Sequence, residues 1–112
     1  MPNRTLEDEV SGRGKTVGGI REQTRQTLVD IKNSLESMGA SLENIVMFRY
    51  FLTNRSDVFA FREEMYSFFE EFAPDLRANP RPATLLRGVG IDLPTMLIEI
   101  EAWAVVPRDS GK

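Results

Sequence analysis

The sequence predicts one α+β domain in which two helices pack on one face of a small sheet. Two segments repeat apolar residues every three or four positions, which is typical of amphipathic helices. Three shorter segments are rich in β-branched and aromatic residues, which favours strands. Their order along the 112 residues is helix, strand, helix, strand, strand, and this length suits a single domain.

The first helix is predicted from residue 20 to Gly39, where a left-handed glycine commonly ends a helix. Its apolar positions are Ile20, Thr24, Leu28, Ile31, Leu35 and Met38. After a turn over 41–44, the apolar run Ile45–Leu52 predicts the first strand. Strict alternation along this strand puts Val46, Phe48, Tyr50 and Leu52 on one face and Ile45, Met47, Arg49 and Phe51 on the other.

The second helix is predicted to begin after Ser56 and Asp57, which are good amino-terminal caps, and to end at Pro74. Its apolar repeat consists of Val58, Phe61, Met65, Phe68 or Phe69, and Phe72. A loop over 75–81 then leads to a strand over about 83–89, a turn over 90–94 and a last strand over 97–106. The polar segments 1–19 and 107–112 are predicted to be tails around a domain over 20–106.

The composition excludes several kinds of chemistry. With no cysteine and no histidine, the chain forms no disulfide, thiolate nucleophile, Cys-based zinc site or Ser-His-Asp triad. Lys and Arg number 14 against 17 Asp and Glu, a net charge of −3, which argues against a dedicated nucleic-acid binder. No apolar run is long enough to cross a bilayer, and the amino terminus does not resemble a signal peptide, so a cytoplasmic protein is expected.

The last strand predicts an oligomer. Ile98, Ile100, Ala102 and Ala104 alternate with Leu97, Glu99, Glu101, Trp103 and Val105. The first and last strands thus carry apolar bulk on both faces, which is more than two helices can cover. The second face is therefore predicted to be buried against another subunit, with Glu99, Glu101 and Trp103 at the interface.

Two groups of residues are candidates for chemistry. Glu99 and Glu101 either supply a carboxylate that activates water in an intersubunit cleft, form a salt bridge to an arginine of a neighbouring chain, or simply lie on an exposed strand face. Arg81 and Arg87 flank the short strand. Each arginine either binds a substrate carboxylate through two parallel hydrogen bonds, is a solvent-exposed charge in a loop, or is the partner of the glutamates.

Three stretches resemble the RidA/YjgF family, the reactive intermediate deaminases also called L-PSP endoribonucleases. They are residues 23–28 with 35–42 (QTRQTL and LESMGASL), residues 45–53 ending in Phe-Leu-Thr, and Pro82-Ala83 followed by LIEIEA at 97–102. The resemblance covers residues 18–106. It implies a chorismate-mutase-like α+β fold with two helices on one face of a small mixed sheet. It also implies a homotrimer whose sheets form a central barrel with ligand clefts between subunits.

The resemblance further implies hydrolysis of enamine or imine intermediates to 2-oxo acids and ammonia, with no metal and no cofactor. The family glutamate that positions or activates water corresponds to Glu99. The family arginine that holds the substrate carboxylate corresponds to Thr84, which lacks the charge and the paired donors. The predicted substrate-binding residues are therefore Thr84, Arg81, Arg87 and Leu86. Arg49 is a further substitute for the missing charge, and the predicted interface residues are Glu101, Trp103 and Arg49.

The amino terminus departs from the family. Family members open with two strands that carry a Ser-Gly and a Tyr of the cleft, and residues 1–10 (MPNRTLEDEV) resemble neither. The first two strands are thus predicted to be missing. The predicted partners are further copies of the chain and a small carboxylate ligand. The alternative function is a non-catalytic metabolite-binding or interaction trimer, while ribonuclease activity is disfavoured by the net charge and the lack of histidine.

Overall fold

The two long helices and the three strands follow one another along the chain in the order that the sequence predicts. The computed structural model describes residues 18–106, so the predicted tails over 1–17 and 107–112, and the predicted loss of two amino-terminal strands, lie outside the described residues. The elements are α1 (Ile20–Ser37), β1 (Ile45–Leu52), α2 (Val58–Phe72), α3 (Pro74–Ala78), β2 (Ala83–Arg87) and β3 (Ile98–Ala104). No helix of this range has both the length and the apolar character needed to cross a membrane.

The strands of residues 18–106 form one mixed sheet in the order β2–β1–β3. The central strand β1 runs parallel to β2 and antiparallel to β3. In this register Arg49 lies opposite Thr84 on one side and Glu101 on the other. Because paired residues point to the same face of a sheet, these three side chains share a face. The small α+β fold with a mixed sheet is confirmed.

Both long helices pack on one face of this sheet, as predicted, and the core lies between the two layers. The fully buried large side chains include Leu28 of α1, Phe61 and Phe68 of α2, and Leu52 of β1. Each such side chain contributes about 1.5–3 kcal/mol through removal from water. An edge-to-face contact between Tyr50 and Phe61, with ring centroids 4.9 Å apart, ties the sheet to α2.

The start of β1 differs from the predicted alternation. Ile45 is fully buried in the core, whereas Val46 is 46% exposed. A β-bulge between Ile45 and Met47 places an extra residue in β1 opposite β3, and an extra residue reverses which face the preceding side chains occupy. The predicted faces are therefore wrong for Ile45 and Val46, and they are confirmed from residue 47 to residue 52.

Several element boundaries also differ from the prediction. Residues 74–78 form the short helix α3 rather than loop, since Pro74 suits a first helical position and Leu76 is buried. Asp57 makes no side-chain capping hydrogen bond at the start of α2, which a 3₁₀ turn over Arg55–Asp57 precedes. The predicted stop at Gly39 is confirmed by its left-handed φ of 78°.

Candidate functional site

The sheet face turned away from the helices, called the open face here, carries charged and apolar side chains side by side. By register with β1 it comprises Met47, Arg49, Phe51, Thr84, Leu86, Glu99, Glu101 and Trp103. Trp103 is 40% exposed and Leu86 is similarly exposed. The open face therefore combines the predicted catalytic residue Glu99, two predicted substrate-binding residues and all three predicted interface residues.

Arg49 lies at the centre of the open face and links β3 to β2. Its Nη1 is 3.2 Å from Glu101 Oε1, and its guanidinium carbon is 5.1 Å from the centroid of the Trp103 ring. Glu101 Oε1 is shielded from solvent and makes no hydrogen bond of good geometry within residues 18–106. The positive charge of Arg49 is thus what compensates this oxygen, and the charge partner of Glu101 belongs to the same chain.

Glu99 occupies the next position along the open face. It lies opposite Phe51 on β1 and two residues before Glu101, and it is exposed. A carboxylate in this position is accessible to water and to a molecule that approaches the open face. Its strand partner Phe51 is two residues after Arg49, which is the next position on the same face, so the two opposite charges border the same surface.

Arg81 is held by protein acceptors. Its Nε donates to Ile45 O at 2.7 Å, its Nη1 to Asn79 O at 2.8 Å, and its Nη2 to Glu43 O and Asp75 Oδ2, both at 3.0 Å. The hydrogen bond from Arg81, helped by one from Asn79, holds the pKa of the Asp75 carboxyl below its ordinary value. Arg81 therefore fastens the segment before β2 to the start of β1, and substrate binding by Arg81 stays a prediction.

Arg87 is exposed and pairs in register with Leu52, on the helix-covered side of the sheet. It points away from Thr84, which lies opposite Arg49. Within residues 18–106, neither Arg81 nor Arg87 forms an ion pair with a strand glutamate of the same chain, and a pairing with the glutamates of a neighbouring subunit stays a prediction. Of the arginines considered for the missing charge, Arg49 alone shares a face with Thr84.

Gln23 supports the site in a way that periodicity does not predict. Although polar, it is buried in α1. Its side chain accepts a hydrogen bond from Leu97 N at 2.8 Å and donates one to Thr95 O at 3.0 Å. These bonds fix the backbone two residues before Glu99. In the sequence, the indication that Gln23 is buried is its position three residues after Ile20, on the apolar side of the helix.

The described residues contain no group of three or more carboxylates placed to hold a metal ion. The charged groups of the open face instead suit an anionic organic ligand, because a guanidinium offers five donors and Glu101 lies near only one of its nitrogens.

Comparisons with known proteins agree with this fold. The family model described as endoribonuclease L-PSP matches residues 8–106. A RutC family protein of Pyrococcus horikoshii is 37% identical over 87 residues, which are 78% of this chain and 63% of that protein. The chain thus spans less than two thirds of the length of this relative.

Solved structures give the same result. The YjgF gene product of E. coli superposes with a TM-score of 0.69 at 27% identity, over 82% of this chain and 68% of that chain. E. coli TdcF, crystallised with bound serine, superposes with a TM-score of 0.69 at 26% identity, over 82% and 68% of the two chains.

Proposed function

This chain belongs to the endoribonuclease L-PSP family, the RidA/YjgF family of the sequence resemblance, and on that premise we propose that its open face forms an intersubunit cleft for a small carboxylate-bearing metabolite. One observation carries the proposal. Arg49 lies opposite Thr84, on the same face as Glu99, so a guanidinium borders the position where the family arginine is absent.

The proposed cleft requires a second subunit, and the proposed assembly is a homotrimer. The open face leaves Leu86 and Trp103 exposed and Phe51 partly exposed beside the Arg49–Glu101 ion pair. Apolar patches of this kind, rimmed by charge, mark interaction surfaces, and the outer edges of β2 and β3 have no strand partner within residues 18–106. A subunit that covers this face would exclude water from the ion pair and strengthen it.

The proposed reaction is the hydrolysis of an enamine or imine to a 2-oxo acid and ammonia. Arg49 binds the substrate carboxylate through nitrogens that Glu101 leaves available. An enamine reacts as its imine tautomer. Glu99 accepts a proton from a water molecule whose oxygen adds to the imine carbon, and passes this proton to the nitrogen to give a carbinolamine. Glu99 then takes the hydroxyl proton and transfers it to the nitrogen as the carbon–nitrogen bond breaks, so that the carbonyl forms and ammonia leaves. The serine bound to the similarly folded TdcF, a small molecule with a carboxylate and an amine, supports this ligand class.

Kinetics on an enamine generated in situ from an amino acid test the proposal. Wild type should release 2-oxo acid faster than buffer, and Glu99→Gln should lower kcat by roughly 10²-fold to 10⁴-fold because the general base is lost. Arg49→Lys keeps the positive charge beside Glu101 but loses the paired donors of the guanidinium, so it should raise KM by roughly tenfold. Arg55→Gln, an exposed arginine outside the open face, is the control. Equal rates for wild type, Glu99→Gln and buffer exclude deamination of that substrate class.

The assembly has its own test. Light scattering should give about three times the mass of one chain, and Trp103→Glu should reduce it to the monomer mass because a charge is placed in the proposed interface. Phe59→Glu replaces an aromatic residue that is exposed on α2 and should leave the trimer intact. A monomeric wild type would contradict the cleft.

A second candidate function is a trimer that binds a metabolite without turnover. Thr84 in the position of the family arginine, together with the engagement of Arg49 by Glu101, favours it. Small 2-oxo acids should then raise the melting temperature, as a ligand that binds the folded state does, while Glu99→Gln leaves this shift unchanged. Measurable turnover that depends on Glu99 would exclude this candidate.

A further inference from the structure

A recess lies on the helix-covered side of the sheet, opposite the open face. It is a cavity of about 160 Å³ between the β1–β2 edge, α2 and the segment over residues 76–81. Most of the residues that line it are apolar or aromatic, with Phe61, Met65 and Leu85 among them. An apolar cavity of roughly 150 Å³ accommodates a benzene molecule, so this space is large enough for one six-membered ring.

Tyr50 places a hydroxyl group at this cavity. The residue is only 6% exposed, and its ring is held by Phe48, with ring centroids 5.3 Å apart, and by Phe61. Its hydroxyl makes no hydrogen bond to any residue that the structure describes. Burial raises the pKa of this hydroxyl, so it keeps its proton and can donate a hydrogen bond to a ligand in the cavity.

Arg62 gives the same cavity a positive charge. Its side chain lines the cavity and lies near enough to Tyr50 for its charge to act on the hydroxyl. Within residues 18–106 none of the ion pairs includes Arg62, whereas Arg81, which also lines the cavity, is bound to Asp75. The cavity therefore combines apolar lining residues, a tyrosine hydroxyl that can donate, and an exposed arginine that forms no ion pair in the part of the chain that the structure describes.

We propose that this cavity binds a small monocyclic aromatic carboxylate, with its ring against Phe61, Met65 and Leu85. The carboxylate accepts a hydrogen bond from the Tyr50 hydroxyl and faces the guanidinium of Arg62. Charge complementarity selects an anion, and the volume selects a single ring over a fused pair. This site is separate from the proposed cleft, because Tyr50 and Arg49 are consecutive residues of β1 that point to opposite faces of the sheet.

Benzoate is the probe that tests the site. Titrated into the full chain, it should change the NMR signals of Tyr50, Phe61 and Leu85 with a dissociation constant on the order of 1 mM, as expected for so small a ligand. The fluorescence of Trp103, the single tryptophan, reports on the open face, so benzoate that binds in the proposed cleft is followed separately and should not respond to changes at Tyr50. Benzyl alcohol, of similar size but neutral, should bind at least about fivefold more weakly.

Variants separate the two contacts. Tyr50→Phe removes only the hydroxyl and should weaken benzoate binding by about fivefold or more, while Tyr66→Phe, which removes the other tyrosine hydroxyl near the cavity, should have a smaller effect. Arg62→Gln should weaken binding roughly threefold and abolish its salt dependence, and Arg55→Gln should change neither. Leu85→Phe places a ring in the cavity and should block benzoate.

Three results would overturn the proposal. One is the absence of signal changes at about 20 mM benzoate, well above the expected dissociation constant. Another is a response centred on Trp103 and Arg49, which would assign the anion to the open face. The last is equal affinity for benzoate in wild type, Tyr50→Phe and Leu85→Phe. Melting curves of each variant verify that the chain is folded when binding is measured.

Discussion

The two faces of the sheet use the same strands for different purposes. On the helix-covered face, Phe48, Tyr50 and Leu52 are buried, and Phe48 and Tyr50 make aromatic contacts with α2. On the open face, the intervening residues Arg49 and Phe51 stay partly exposed among charges. The alternation of a strand thus separates stability from recognition, since a change at one position leaves the opposite face in place.

The largest expected effect is a difference in stability between variants of the two faces. Phe61→Ala, which removes a fully buried ring, should lower the free energy of unfolding by about 3–5 kcal/mol, because it leaves a cavity in the core. Phe51→Ala on the open face is the matched change. In denaturant titrations at low protein concentration it should cost less than about 1.5 kcal/mol, with a further loss at high concentration if subunits cover the face. Equal losses for both variants would remove the distinction.

A smaller effect concerns the buried link between α1 and β3. Gln23→Leu leaves Leu97 N and Thr95 O without their side-chain partner, and the unfolding free energy should fall by about 1–3 kcal/mol. Gln26→Leu, which removes an exposed bond to Asp30, should change it by less than about 0.5 kcal/mol. If both variants unfold at the same denaturant concentration, the Gln23 bridge does not stabilise the approach to Glu99.

The contrast between the faces also shows what the sequence can predict. Helical periodicity was sufficient for α1 and α2, and period-two alternation was sufficient for the faces from Met47 onward, because local geometry dictates both. The bulge at Val46 escaped prediction, since a single inserted residue leaves no mark on composition.

The partners of the arginines could not be predicted for a different reason. That Arg49 lies opposite both Thr84 and Glu101 follows from the strand order and register, which involve residues more than thirty positions apart in the chain. Arg81 is bound mainly by backbone carbonyl groups, and every residue has one whatever its side chain. A pattern of residue types therefore identified the candidate side chains on the open face, but it carried no information on which of them are engaged elsewhere.

A stabilising change is expected where the core itself contains an unused polar group. Thr24 is fully buried in α1, and its Oγ1 has no hydrogen-bond partner in the described part of the chain. Thr24→Val replaces the hydroxyl with a methyl group of similar shape and should raise the unfolding free energy by about 1 kcal/mol. Thr27→Val is the control, since Thr27 Oγ1 donates to Gln23 O at 2.8 Å and gains nothing from the change. A loss of stability in Thr24→Val would mean that the hydroxyl is satisfied in solution.

The smallest expected effect is a pH dependence at the edge of the sheet. Hydrogen bonds from Arg81 and then Asn79 lower the pKa of Asp75 in the folded chain from its ordinary value of 3.8. The folded state then binds fewer protons than the unfolded state near this pH, so the stabilisation is complete above the ordinary pKa and is lost as pH falls through the lowered one.

Asp75→Asn should therefore flatten the acid limb of a stability curve measured from about pH 5 downward. Asp92→Asn makes the same charge change at an exposed site and should leave that limb as steep as in wild type. Equal slopes in all three proteins would show that solvent screens the contact between Arg81 and Asp75.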